Sequence, residues 1–191
     1  MDKELLIQYG ASLESIKKGE IIFERGEMPS FYLFIVKGVV RVYTLSEQGK
    51  EFTHRIFNQN ECFGTPPLII NKPYPSIAVA KTDIEILKLA KDKFFAALQE
   101  NPQFLMQLTK NICEIIYFKS VMSNEISLHD PEHRITTLLR QFKTTNTPEE
   151  IYLTRQQIAN LTALRVETVI RTIKQMELDG KVKILNRKVF I

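Results

Sequence analysis

The sequence predicts an α+β chain in three parts: an N-terminal antiparallel β-roll of jelly-roll type over residues 1–100, a long helix over 101–128, and a C-terminal winged helix-turn-helix over 129–191. Three observations lead there. Short runs rich in Ile, Val, Phe and Tyr are punctuated by glycine in the first half. An apolar stripe then recurs at three-, four- and seven-residue steps from Pro102 to Ser127. Two capped helices and two short strands close the chain. With 191 residues, 44% hydrophobic and 25% charged, the chain fits one or two globular domains with a buried core.

In the first half, Glu20 to Phe23, Phe31 to Val36, Val39 to Thr44 and Thr53 to Phe57 read as strands, with Gly19, Gly26, Gly38, Gly49 and Gly64 at their ends. β-Branched and aromatic side chains suit a pleated, half-buried surface, and the glycines permit the tight turns of a compact roll. The central helix carries Leu105, Leu108, Ile112, Ile115, Met122 and Ile126, with Phe104, Ile116 and Phe118 broadening the stripe. One face would cover the roll. The rest exceeds what one contact needs and points to the same helix of a second copy, a homodimer; a monomer that buries the whole stripe is the alternative.

In the last part, Asp130 can cap a helix with Pro131 in its first turn, and Arg134 to Phe142 continues it. Thr144 to Glu150 is a polar loop. Thr154 and Gln157 have the spacing of a capping box, so a short helix starts there, with Ile158 and Leu161 on one face, and ends near Thr162. A second helix, about 165–178, puts Val169, Ile173 and Met176 on a core-facing stripe, with Gly180 at its left-handed C-cap. KVKIL and KVFI, joined at Asn186-Arg187, form a hairpin beside it, the wing. At ~100° per residue, Glu167, Arg171 and Lys174 fall opposite the stripe, on a helix of the length that enters a major groove. By spacing alone, Glu167 and Arg171 read equally well as an exposed i, i+4 pair on a solvated face.

Charge is uneven. From Arg134 onward there are 11 Lys and Arg against 5 Asp and Glu, whereas residues 1–133 carry 15 against 17, for a net +4 overall. The basic part bears the helix-turn-helix. Arg140, Lys143, Arg155, Arg165, Lys181, Lys183, Arg187 and Lys188 would together supply sequence-independent attraction to phosphates, although each alone is an ordinary surface charge. Double-stranded DNA is the expected partner.

Other classes find little support. No apolar run approaches the ~18 residues of a membrane span, and Met1-Asp2-Lys3 leads into no signal-peptide core, so a cytoplasmic location is expected. Cys62 and Cys113 form no Cys-x-x-Cys and suggest neither a zinc site nor an iron–sulfur cluster; a reduced, buried thiol is expected for each. His129 and His133, within HDPEH, are the histidines close enough to suggest a metal. Pro131 argues against one, because it should leave His129 outside the helix and break the i, i+4 ligand geometry, so no metal site is expected. No catalytic triad, paired acid and base, or phosphate-binding loop occurs, and no catalytic residue, enzymatic activity or cofactor is expected.

Three stretches, Leu153 to Ala159 (LTRQ-x-IA), Val166 to Arg171 (V-E-T-V-x-R) and Met176 to Val182 (M-E-x-x-G-K-V), resemble the Crp/Fnr superfamily of bacterial transcription regulators. In the first half, KKGEIIFERGE, FYLFIVKGVVRVY, GKE and CFG resemble the family's cyclic-nucleotide-binding domain. The resemblance implies a dimerisation helix over 101–128, a hinge at His129-Asp130-Pro131, and a shortened first helix within Met1 to Lys18. It implies that Glu167 and Arg171 read base edges, and the chemistry agrees: a carboxylate accepts from cytosine N4 and a guanidinium fits guanine O6/N7, so together they can read a G·C pair. Arg155, Arg165, Thr168, Lys174, Arg187 and Lys188 are further DNA-contact candidates.

Departures from the family limit the transfer. Val166 stands where the cyclic-AMP-responsive branch has a second base-reading arginine, which implies a half-site nearer the TTGA-like core of the Fnr branch. Ile170 replaces a polar reader and could only touch a thymine methyl or pack. The Gly-Glu and Arg-Ser pairs that hold cyclic AMP correspond to Gly64-Thr65 and Tyr74-Pro75, and no arginine occurs between Arg55 and Arg134. Without a guanidinium, the cyclic phosphate loses its charge-assisted bidentate bonds; Lys72 is the one nearby substitute. Cyclic AMP is therefore not the expected effector. Phe63, Gly64, Thr65, Tyr74 and Ser76 remain the pocket candidates for an effector of unidentified chemistry, unless the roll serves only as a dimer scaffold. RNA polymerase is an expected partner. The alternative function is a small-molecule-sensing module with secondary or lost DNA binding.

Overall fold

The computed structural model describes residues 3–49, 51–142, 150–151, 153–185 and 188–191. In chain order the first elements are α1 (Lys3–Gln8), β1 (Ser12–Ile16), β2 (Ile21–Phe23), β3 (Phe31–Lys37), β4 (Val40–Leu45), β5 (Glu51–Phe57) and β6 (Cys62–Phe63). Next come α2 (Thr65–Ile70), β7 (Ile77–Ala80), β8 (Ile84–Ala90), α3 (Lys91–Glu100), α4 (Pro102–Leu128) and α5 (Pro131–Gln141). The chain closes with β9 (Glu150–Ile151), α6 (Arg155–Thr162), α7 (Val166–Leu178), β10 (Lys183–Leu185) and β11 (Lys188–Phe190). Contacts divide it into two units, Met1–Asn111 and Ile112–Ile191.

The first unit is an antiparallel roll of two four-stranded sheets, ordered β1-β8-β3-β6 and β2-β7-β4-β5. Its interior draws on both sheets: Ile16, Leu33, Ile35, Phe63 and Ile86 from one meet Phe23, Val40, Ala78 and Ala80 from the other. β3 departs from simple alternation, since Tyr32, Leu33, Phe34 and Ile35 are all buried. Leu33 and Ile35 enter the inter-sheet core. On the other face, Tyr32 stacks on Phe94 of α3 at 4.6 Å and meets Phe104 edge-on at 6.0 Å. A sheet covered on both faces reads as a continuous apolar run, as β3 does.

The four strands read from the sequence are β2 to β5, the long helix is α4, and the shortened first helix is the six-residue α1. No helix among the described residues is long and apolar enough to cross a membrane. Within the second unit, α5, α6 and α7 enclose Ile135, Leu138, Leu139, Ile158, Val169, Ile173 and Met176, and a small sheet ordered β10-β11-β9 adds Ile151, Val182 and Val189.

Two expectations need correction. The thiols are not both buried: Cys113 on α4 is exposed, and Cys62 is half-buried in the two-residue edge strand β6. Pro131 does not separate His129 from His133 either. The His129 N–H still donates to the Glu125 carbonyl at 3.1 Å, continuing the hydrogen bonding of α4 by one residue. Asp130 then caps α5 by accepting from the His133 N–H at 3.0 Å. A two-residue link this short turns the chain without carrying the rings apart, and they stack at 4.1 Å.

Candidate nucleic-acid interface

The helix-turn-helix is held first by its caps. Thr154 Oγ1 accepts from the Gln157 N–H at 3.2 Å, while Gln157 Oε1 accepts from the Thr154 N–H at 2.7 Å, the complete capping box. α6 ends at Thr162, whose buried hydroxyl donates back to the Ile158 carbonyl at 2.6 Å. The turn then runs through Ala163 in the left-handed region, φ 52°, with no glycine to mark it. α7 ends in a Schellman arrangement: the Lys181 N–H donates to the Met176 carbonyl at 2.8 Å and the Gly180 N–H to the Glu177 carbonyl at 3.0 Å. Gly180 there has φ 72°, which a side chain would strain.

α7 is split cleanly between core and solvent. Val169 and Ile173 are fully buried and Met176 nearly so, packed in the core of the second unit. Glu167, Arg171 and Lys174 are all exposed on the opposite side. Among the described residues none of the three is tied into an ion pair or hydrogen bond, so Glu167 and Arg171 do not form the surface pair that their spacing allowed. Four residues apart, they lie about 40° apart around the helix and about 6 Å along it. A carboxylate acceptor and a planar five-donor guanidinium are thus displayed together, a donor–acceptor set that matches base edges. Ile170 is 41% exposed beside them, an apolar surface on an otherwise polar face. Val166, by contrast, is half-buried and packs against the core, and Thr168 is also half-buried.

The basic residues differ in exposure. Arg140, Arg165, Lys183 and Lys188 are exposed, and Arg165 precedes α7 as its N-cap residue without a side-chain capping bond. Arg155 is half-buried, and desolvation pulls its pKa down against the opposing charge of Glu177. Lys181 is engaged: it hydrogen-bonds Glu132, which raises its pKa, and lies 3.7 Å from Asp179, so its charge is largely met within the protein. Lys143, the Asn186-Arg187 turn and most of the loop before β9 fall outside the described residues. The wing is a hairpin of β10 and β11 in register Lys183↔Phe190 and Leu185↔Lys188, and β9 joins it as a third strand, Val189↔Ile151. Sequence reasoning missed β9, and it missed Glu177, whose Oε1 accepts from the Ile184 N–H at 2.9 Å and ties α7 to the wing.

In the first unit Phe63, Gly64 and Tyr74 of the pocket candidates come together around Phe23. Phe63 ends β6, Gly64 precedes α2 and Thr65 begins it. Tyr74 stacks on Phe23 with ring centroids 3.6 Å apart and planes 6° from parallel, and Phe63 lies 6.1 Å from Phe23. Tyr74 also closes over Gly64, where a Cβ would fall 3.0 Å from Tyr74 Cε1. Burial, reinforced by the charge of Glu27, raises the Tyr74 phenol to about 12. Ser76 is buried, and Thr65 Oγ1 is buried without a hydrogen-bond partner, whereas Lys72 is exposed. The chemistry on offer is aromatic faces and hydroxyls, with no guanidinium.

Comparison with known proteins agrees with both units. A cyclic nucleotide-binding domain family matches residues 13–101, and a Crp-like helix-turn-helix domain family matches residues 133–191. The cAMP-activated global transcriptional regulator CRP of Salmonella typhimurium is 31% identical over 163 residues, covering 82% of this chain and 78% of that protein. The global nitrogen regulator of Nostoc is 26% identical over 129 residues, 66% of this chain and 58% of its own length. Among solved structures, a CooA mutant from Carboxydothermus hydrogenoformans shares the fold with a TM-score of 0.81 at 20% identity, over 100% of this chain and 87% of that one. With a roll of the cyclic-nucleotide-binding type, a capped helix-turn-helix with its wing, and this identity to the regulator CRP, the chain belongs to the Crp/Fnr superfamily of DNA-binding transcription regulators.

Proposed function

We propose that this regulator acts as a homodimer, places α7 in the major groove of an approximately palindromic site, and reads base edges with Glu167 and Arg171. Support comes from α7 itself: its apolar stripe is fully committed to the core, which leaves the carboxylate and guanidinium as the exposed, uncommitted pair on its outer face. Arg155, Arg165, Thr168, Lys174, Arg187 and Lys188 contribute further contacts, chiefly to phosphates. Two such helices related by a two-fold axis enter successive major grooves, so the half-sites lie about one helical turn apart. Val166 packs inward, which favours the TTGA-like half-site, and Ile170 suits contact with a thymine methyl.

The dimer uses the apolar residues that α4 leaves open in the single chain, Leu105, Met106, Ile116 and Tyr117. Leu105 and Ile116, and Met106 and Tyr117, are eleven residues apart, and the exposed Cys113 lies seven beyond Met106 on the same stripe. RNA polymerase is the protein partner through which DNA binding reaches transcription, and the setting is the cytoplasm. Cyclic AMP is not the effector by the usual chemistry, because the positions of the cyclic-phosphate pair are Tyr74 and Pro75 and Tyr74 is stacked into the core. An effector, if the roll takes one, is aromatic or apolar with a polar group for Thr65 or Ser76. The test is a calorimetric titration of the purified protein with cyclic AMP, beside anisotropy measurements on a TTGA-type palindrome with and without the nucleotide. No cyclic-AMP heat and nucleotide-independent DNA binding are expected; micromolar cyclic-AMP affinity would overturn the assignment.

A further inference from the structure

Glu125 on α4, His129 just beyond its end, and His133 in the first turn of α5 stand at i, i+4 and i+8. On one unbroken helix that spacing would place them along a single side. The helix is broken at Asp130-Pro131, yet the capping bond from the His133 N–H to Asp130 Oδ1 and the bond from Arg134 Nε to the His129 carbonyl, 2.7 Å, fix the link. The three side chains remain together, each offering one ligand atom, all within 4.8 Å of one another. His133 Nε2 and Glu125 Oε2 are 3.3 Å apart.

That separation matches the ~3.3 Å edge of a tetrahedron with metal–ligand bonds of ~2.0 Å. The remaining separations, up to 4.8 Å, must shorten by up to about 1.5 Å, which rotation of the exposed imidazoles supplies. Glu125 adds an independent indication. Its side chain is only 13% exposed, and Oε2 is buried without a hydrogen bond; the His133 ring nitrogen 3.3 Å away balances its charge only when that imidazole is protonated, so beside a neutral ring it lacks the partner that burial ordinarily demands. A cation between it and the two rings provides that partner.

We propose that Glu125, His129 and His133 form a binding site for a divalent transition-metal ion of the zinc, cobalt and nickel class, with at least one coordination position open to solvent. Two imidazoles and one carboxylate select these borderline ions over calcium and magnesium, which take all-oxygen shells. The ion clamps the end of α4 to the start of α5 across their two-residue link. Metal occupancy thereby fixes the geometry of that link, a property separate from base reading by α7.

The experiment uses tag-free, chelator-treated full-length protein titrated with cobalt(II), followed by its ligand-field absorption, and with zinc by calorimetry. One ion per chain is expected, with affinity falling at least about tenfold in His129→Ala and His133→Ala, no less than is usual when even an outer-shell partner is lost. Far-UV circular dichroism checks that each variant is folded. On the unaltered protein, zinc should also protect His129 and His133 from carbethoxylation, read by mass spectrometry. Absence of saturable uptake, uptake undiminished in both variants, or unprotected histidines at saturating zinc would overturn the site.

Discussion

Arg171→Ala removes a side chain that projects from α7 on the face opposite Val169, Ile173 and Met176 and is tied to nothing else among the described residues. Its cost should therefore appear on DNA and not in folding. Arginine and alanine have similar helix propensities, and an unpaired surface substitution shifts stability within about 0.5 kcal/mol. A bidentate guanidinium–guanine contact contributes about 1 to 3 kcal/mol of discrimination, so affinity for the specific duplex should fall roughly 5- to 150-fold per site read, and preference at one base pair should relax. Binding to random DNA should weaken far less, by what one positive charge contributes. The assay is fluorescence anisotropy at one fixed salt concentration, with the parent palindrome, each single substitution of its G·C pair, and a scrambled duplex. Glu167→Ala should relax the same base pair. Equal loss on specific and scrambled DNA would refute the assignment of Arg171 as a reader.

Arg165→Ala is the complementary case. Because Arg165 precedes α7 without a side-chain capping bond, alanine removes charge and no cap. All sequences should be bound more weakly alike, and the slope of log affinity against log salt should decrease by about one per subunit, measured by anisotropy from low to moderate salt. Thr154→Ala removes the hydroxyl half of the capping box, leaving the backbone N–H of residue 154 to donate to Gln157 Oε1, and should destabilise the DNA-binding unit by about 0.5 to 2 kcal/mol, followed by far-UV circular dichroism in urea because the chain has no tryptophan. Tyr74 gives a pH prediction. Its pKa is raised in the fold to about 12, so the neutral phenol's contribution is complete below the unfolded value near 10 and is lost as pH rises from about 10 towards 12. That loss is at most about 3 kcal/mol and is reduced by solvent screening, and Tyr74→Phe should remove it.

Local rules carried the sequence reading wherever the structure is locally determined. Thr154 and Gln157, Asp130 and Pro131, and Gly180 act over four residues or fewer, and each cap forms where its spacing predicts. The α7 stripe was legible for the same reason. Ala163 was not: a left-handed alanine carries no composition signal, and its φ is imposed by packing α6 against α7. β1 and β8 escaped notice although they pair over five residues, because Ser12–Ile16 mixes charge into a strand whose partner lies some seventy residues on. β9 has two residues and exists only through its pairing with β11. Between α4 and α5, Pro131 does end the long helix as its chemistry requires, yet it does not carry the two histidines apart. A new helix starting at once, capped by Asp130, returns His133 to His129, and Glu125, one turn further back, completes the group.

The most direct test of the central claim is selection of the purified protein on a randomised duplex pool, run in parallel with and without cyclic AMP. A dimer reading base edges through Glu167 and Arg171, with no cyclic-phosphate site in its roll, should enrich one palindrome in both arms, with half-sites about one helical turn apart. Enrichment confined to the cyclic-AMP arm, or no enriched sequence in either, would contradict it.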